Sequence, residues 1–318
     1  MSDCESPSLI SDCISSRRPA AKVRAWRACC GPQHPSNHVL RDSRRRRRLH
    51  DVAPSHGRDI HDPVATEQRE LSGQPVRGLL FGSVAESYER YRLDYSNNLV
   101  DTVLAYAGRP VHSALEVGAG TGKATRVFAS RGIEVTALEP DADMARVLKK
   151  ATRGLPVRPV VATLEQFRTD SRFDLVFAAA AWHWTSAAAR WTQAVELLTP
   201  GGVLALFGRP AELKDPNLFA AVEEIEKRVL SSIDPAEVHP WTIEEMAAAD
   251  GFADVEQRDL PSVATTTAAD FVGRLSTVSA YLMLGSRERA EALRQVRAVL
   301  PDQVEIDNTL QLSLARRV

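Results

Sequence analysis

The chain has 318 residues and a formal net charge of −1 at pH 7, but the charge is unevenly placed. Residues 1–78 hold 14 basic and 9 acidic residues, a net +5, and the remainder sums to −6. No apolar leader and no 18-residue apolar span occurs, which leads us to expect a soluble cytoplasmic protein with no membrane partner.

Residues 1–78 contain no Phe or Tyr, all four cysteines (Cys4, Cys13, Cys29, Cys30) and the run Arg44-Arg45-Arg46-Arg47-Arg48. Such a segment has too little apolar surface to offset chain entropy, so it is expected to be a disordered basic extension. Cys29 and Cys30 are adjacent, too close for ordinary disulfide geometry, and no C-x-x-C spacing exists, so no metal site is expected. The arginine run has the charge to touch nucleic acid. Apart from the distant Trp26 no aromatic residue accompanies it, so a specific nucleic-acid surface is not supported.

Residues 79–318 are enough for one well-cored α/β domain with a core over 112–208 and a substrate-side insertion at about 211–275. Phe81 to Arg92 is the approach segment to the first strand. Leu115-Glu116-Val117-Gly118-Ala119-Gly120-Thr121-Gly122 follows as a strand ending in a glycine turn, and Lys123 to Ala129 opens a helix. That unit forms the ligand crevice of an open α/β sheet, where glycines admit a ligand to the backbone and the helix start offers free N–H groups to an anion. A dinucleotide fingerprint needs a third glycine at position 123, which is Lys123. A Walker A loop needs glycine at 117 and Ser or Thr at 124, which are Val117 and Ala124. The spacing that remains is E-x-G-x-G-x-G.

Further along, Val135 to Leu138 is a second strand closed by Glu139 and Pro140, about 20 residues past the loop, where an acidic side chain can accept from ribose hydroxyls. Phe173 to Ala179 reads as a fourth strand leading into Ala180-Ala181-Trp182-His183-Trp184. Leu198 to Gly202 is expected to be a helix-ending turn and Val203 to Phe207 a strand apolar on both faces. Asn217 to Leu230 has helical spacing, Asp254 to Leu260 suits an edge strand, and Glu288 to Leu300 is another helix. Val304 to Ala315 alternates cleanly and is expected to be one antiparallel strand closing the sheet.

In this order the segments resemble the class I S-adenosylmethionine-dependent methyltransferases, and among them the type 11, trans-aconitate-methyltransferase-like branch. The resemblance rests on Glu116 to Gly122, Glu139, Phe173 to Val176 with His183-Trp184, and Leu198-Thr199-Pro200-Gly201-Gly202. It implies a doubly wound, Rossmann-like seven-stranded sheet with an antiparallel last strand and a helical cap. One departure stands out: the family commonly continues its entry segment Arg-Pro-x-Tyr-Pro, whereas this chain has Arg92-Leu93-Asp94-Tyr95-Ser96.

The resemblance implies S-adenosyl-L-methionine as cofactor and a small-molecule substrate. Gly118, Ala119, Gly120 and Gly122 would receive its carboxylate end and Glu116 its ammonium. Glu139 would hold the ribose, with Pro140, Thr163 and Leu164 around the adenine, and Ala178 and Trp182 beside the methyl donor. His183 is read either as a general base for a hydroxyl or amine acceptor or as a structural histidine. Arg92 and Tyr88 are candidates to fix a substrate carboxylate. The competing reading is a non-catalytic cofactor-binding or nucleic-acid-associated regulatory module; a dehydrogenase is disfavoured by Lys123. No feature specifies an oligomeric state.

Overall fold

In the computed structural model, residues 77–233 and 239–318 are described. The arginine run, the four cysteines and the expected disorder of the basic extension all concern positions outside the described residues, apart from the last two residues of that extension.

A 3-10 segment, Arg77–Val84, leads into α1 (Ala85–Tyr91) and α2 (Asn97–Ala107). The alternating core follows as β1 (Ser113–Val117), α3 (Lys123–Ala129), β2 (Glu134–Leu138), α4 (Ala142–Ala151), β3 (Val157–Val160), β4 (Phe173–Ala179), α5 (Arg190–Leu197) and β5 (Leu198–Gly208). Then come β6 (Glu212–Leu213), α6 (Pro216–Val229), α7 (Ile243–Ala248), β7 (Phe252–Leu260), β8 (Val263–Thr267), α8 (Ala268–Leu275), α9 (Ser279–Leu282), α10 (Ser286–Val299), β9 (Gln303–Asp307) and β10 (Leu310–Arg317).

The large sheet has seven strands in the order β3-β2-β1-β4-β5-β10-β7, with β10 antiparallel to both its neighbours and the five core strands parallel. Strand order reverses beside β1, and the register Val117 to Leu138 and Glu116 to Phe177 sets the carboxyl ends of β2, β1 and β4 side by side. Ligands of such sheets bind at that reversal. The strands can be central because both faces are apolar: β1 and β4 bury nearly every residue. On one face Phe128, Phe177 and Phe207 stack, the first two with centroids 4.3 Å apart, against Leu312 and Leu314. On the other, Leu115, Val176, Leu204 and Leu206 pack with Trp182 and Met246. A third core (Ile225, Phe271, Tyr281, Val296) lies within the cap of α6, α8, α9 and α10. No helix among the described residues is long and apolar enough to cross a membrane.

Two expectations are corrected. The alternating run 304–315 is two strands, not one: β9 joins β6 and β8 in a separate three-stranded sheet, and only β10 closes the large one. The break falls at Asn308 and Thr309, where the Asp307 carboxylate accepts from the Thr309 N–H at 2.9 Å, a local turn that competes with the ladder. Residues 198–202 are the start of β5 and not a turn before it, although Gly201 keeps a φ of 69°.

Candidate active site

The glycine turn is shaped by its neighbours. Gly118 (φ 68°) follows β1, and Gly122 (φ 90°) is the residue from which α3 starts. A Cβ on Gly118 would lie 2.5 Å from Cβ of Ala181, and one on Gly122 would lie 2.5 Å from Cδ1 of Leu148. Both positions therefore exclude a side chain twice over, by conformation and by space. The Ala119 N–H donates to the Leu138 carbonyl at 2.8 Å, which ties the turn to the end of β2.

Two glutamates back this turn. Glu139 is buried and accepts from the Gly120 N–H at 2.7 Å through one oxygen and from the Asp141 N–H at 2.9 Å through the other. Burial pushes its carboxyl up to about 7, with the two N–H bonds pulling the other way. Glu116 has no solvent exposure; its Oε2 accepts from the Thr125 hydroxyl at 2.5 Å, while its Oε1 is buried without a hydrogen-bond partner. Burial lifts Glu116 to about 8, offset in part by Thr125. A buried carboxylate oxygen with no partner costs about 1–3 kcal/mol. A cationic ligand at that oxygen would remove the deficit.

Three cavities meet at this end of the sheet. A cleft of about 560 Å³ runs over the carboxyl ends of β1 and β2, lined by Gly118, Gly120, Glu139, Pro140, Thr163 and Leu164, with Phe81, Tyr88 and Trp184 roofing it. A smaller space of about 70 Å³ adjoins it at Tyr88 and contains Glu116, Ala119, Thr121 and the side chains of Arg92, Arg209 and Arg274. A third, of about 410 Å³, lies over β5, β10 and β7 and contains Ala178, Trp182 and His183. Ala180 borders all three and holds a left-handed φ of 53°. A non-glycine residue pays for that conformation, and such strain is typically kept at functional sites.

The structure thus brings Gly118, Gly120, Glu139, Pro140, Thr163, Leu164 and Tyr88 into the cleft, and Glu116, Ala119 and Arg92 into the space beside it. Gly122 stands behind the turn as the start of α3. Ala178 and Trp182, expected beside the cofactor, line the third cavity instead. For Ala178 the reason is strand alternation, which leaves it 1% exposed on the face of Leu204 and Leu206; Trp182, in the 3-10 turn after β4, packs into the same core, 5.6 Å from the Trp191 ring. Trp184 faces the cleft, edge-on to Phe81 at 6.1 Å. The Thr163 N–H is engaged by the Gln166 side chain at 3.2 Å, and the Thr163 hydroxyl accepts from the Gln166 N–H at 3.3 Å.

The entry segment closes over the turn through charges. Lys123 Nζ lies 2.9 Å from Asp94, and Arg126 lies 3.1 Å from Asp94 and 3.0 Å from Glu89. Burial would raise the Asp94 carboxyl, but Lys123 and Arg126 outweigh it and hold it below its ordinary value. Lys123, the residue that breaks the dinucleotide spacing, is therefore the pin of the cap. Arg92 donates to the Thr277 hydroxyl and carbonyl, both at 2.9 Å, and lies 5.0 Å from the Tyr88 ring centroid.

Sequence reasoning placed Ala180 only within the span after the fourth strand, and it missed Arg209 and Arg274. Arg209 carried a signal, as a cation with one residue between it and the apolar run Val203 to Phe207; it reaches the Asp94 carbonyl at 3.0 Å and Asn308 at 2.8 Å. Arg274 carried none: it sits on a cap helix, buried, donating to the Ala211 carbonyl at 2.6 Å.

Comparison with known proteins agrees with this geometry. Residues 115–206 match the family described as "Methyltransferase domain". An uncharacterized methyltransferase of Mycobacterium tuberculosis (strain H37Rv) is 38% identical over 130 residues, covering 40% of this chain and 51% of that protein. One of Mycobacterium bovis matches equally, so the chain spans about half the length of the curated relatives it matches. Among solved structures, the YcgJ protein of Bacillus subtilis aligns at 17% identity with a TM-score of 0.48, over 70% of this chain and 99% of that one. The cyclopropane synthase MmaA2 of Mycobacterium tuberculosis aligns at 15% identity with a TM-score of 0.47, over 75% and 97%. The domain match, taken with the ordered motifs and the strand order, identifies residues 115–206 as a class I, S-adenosylmethionine-dependent methyltransferase domain.

Proposed function

We propose that the protein transfers a methyl group from S-adenosyl-L-methionine to a small-molecule acceptor. The observation that carries this reading is the unpartnered, fully buried Oε1 of Glu116 beneath the glycine turn. It is a carboxyl that ionises beside a cation, which a nucleotide phosphate does not supply and an α-ammonium does. The cofactor supplies a methyl carbon made electrophilic by positive sulfur.

The chain's own residues then bind and orient. Glu116 holds the ammonium, while Gly118, Ala119 and Gly120 let the amino-acid end approach the backbone, with Gly122 fixing the turn. Arg92, oriented by neutral acceptors at Thr277, faces the same space and suits a carboxylate. Glu139, Pro140, Thr163 and Leu164 frame the nucleoside. Tyr88, Phe81 and Trp184 exclude water from the cleft, which strengthens the electrostatics inside it. Ala178 and Trp182 form a wall on the acceptor side of Ala180. His183 stands in that wall and takes the proton of a hydroxyl acceptor at its imidazole; a carboxylate acceptor would need no such step.

Titration of S-adenosylhomocysteine into the full chain by calorimetry, with NAD as control, tests this. One-to-one micromolar binding of the former alone is the expected result; binding of NAD, or of neither, would overturn it. Gly120→Asp is expected to fold, since aspartate tolerates a φ of 58° and an added Cβ meets Met144 Cε at 3.5 Å and Tyr88 Cε1 at 4.0 Å, both ordinary contacts, yet to lose cofactor binding by filling the cleft. Its thermal unfolding and its calorimetric titration separate the two effects.

A further inference from the structure

The third cavity is walled on one side by the sheet itself, at a place where the sheet changes character. On one face Leu204, Leu206 and Ala315 belong to an apolar core cluster. Toward the ligand end of the same face, the registered pairs Ser313–Gln257 and Gln311–Asp259 of β10 and β7 replace apolar side chains with polar ones. All four line the cavity of about 410 Å³. They are neighbours across the antiparallel ladder, close enough to act on one ligand group together.

None of these four side chains has a hydrogen-bond partner among the described residues. For Gln257 and Asp259, both exposed, water suffices. Ser313 is only 4% exposed as a residue, and it lines the same cavity as the other three. The chemistry of the set is specific. Two carboxamides each offer two donors and one acceptor, the serine offers one of each, and the aspartate only accepts. Such a set matches a ligand whose groups both donate and accept at several adjacent points, as hydroxyls do. It matches neither a polyanion, which needs donors only, nor an ammonium, which needs acceptors only. Trp241, half-buried and in the same lining, supplies apolar aromatic surface for the C–H side of a ring. Arg209, the cation of the lining, is already committed to Asn308, the Asp94 carbonyl and the Tyr95 ring.

We infer that this cavity is the acceptor's site and that it recognises a polyhydroxylated group, a sugar ring or a comparable polyol. The inference rests on the methyltransferase reading, because it is Ala180 that joins this cavity to the cofactor cleft. It gives the strained φ of Ala180 a use: the residue forms the rim across which the two ligands meet.

The test uses the full chain saturated with S-adenosylhomocysteine and saturation-transfer NMR. The probes are methyl β-D-glucopyranoside and methyl β-D-galactopyranoside, with succinate and choline as an anion and a cation of small size. Ring-proton saturation of the glycosides, and not of succinate or choline, is the expected result. Gln257→Ala and Asp259→Ala, both at exposed edge-strand positions, should each weaken glycoside binding about five-fold, the loss of roughly one hydrogen bond. Saturation of succinate or choline in place of the glycosides, no saturation at all, or glycoside binding indifferent to both substitutions would overturn the assignment. Calorimetry with S-adenosylhomocysteine on the same samples keeps the two readings apart. Intact cofactor binding without glycoside contact removes the sugar site alone, while lost cofactor binding in the unaltered chain removes the methyltransferase reading.

Discussion

Glu116 is the residue on which the site's electrostatics turn. In the ligand-free protein burial holds its carboxyl up at about 8, with Thr125 and Arg126 offsetting only part of that rise. An ammonium placed at Oε1 would favour the charged form and bring that value down. Cofactor binding near neutral pH is therefore expected to release a proton. The binding enthalpy should change between two buffers of different ionisation enthalpy, and Glu116→Gln should abolish the difference while weakening affinity at least ten-fold. At the turn itself, Gly122→Ala is expected to destabilise the fold, by about 1–3 kcal/mol for a left-handed non-glycine residue before any clash with Leu148. Chemical denaturation measures it; a variant as stable as the parent would contradict the close packing of α3 against α4.

At the scale of elements, α1 and the segment to Ser96 are held to α3 chiefly by charge. Asp94 is 70% exposed on its side chain, so its pairs with Lys123 and Arg126 are screened by salt and individually small. Their effect is on position more than on global stability. Lys123→Met is expected to leave the unfolding midpoint nearly unchanged while raising hydrogen exchange in α1. Exchange in the unaltered chain should rise in the same helix when salt is raised from 0.05 to about 0.5 M. Uniform exchange in both cases would mean that packing of Phe81 and Tyr88, and not charge, holds the cap. The two prolines of the resembled family are absent here, and this charged staple holds the same stretch in place.

The whole molecule carries two buried glutamates at one end of its sheet, and both respond to pH in one direction. Glu116 and Glu139 have folded-state values raised to about 8 and about 7, above their unfolded value of 4.5. The folded state binds more protons over that window, so stability is full below about pH 4.5 and falls as pH rises toward 8. The melting temperature of the ligand-free protein should accordingly drop between pH 5 and 8, and saturating S-adenosylhomocysteine should flatten the decline by compensating Glu116. A melting temperature that rises across this range would refute the assigned burial.

Much of this architecture was written locally. The glycine turn, the acidic strand ends at Glu116 and Glu139, and the two-sided apolar strands depend on residues adjacent in the chain. Periodicity and backbone preference act at that range, so the fold class and the position of the cleft were legible from the sequence. What only the tertiary structure decided is where side chains converge. Whether Trp182 or Trp184 faces the cleft depends on how the turn after β4 packs on α5. The split of 304–315 depends on a second sheet that no alternation announces. Arg209 and Arg274, and the row Gln257, Asp259, Gln311 and Ser313, come from segments far apart in sequence. Their meeting is a property of strand order and register, which no single stretch of residues contains.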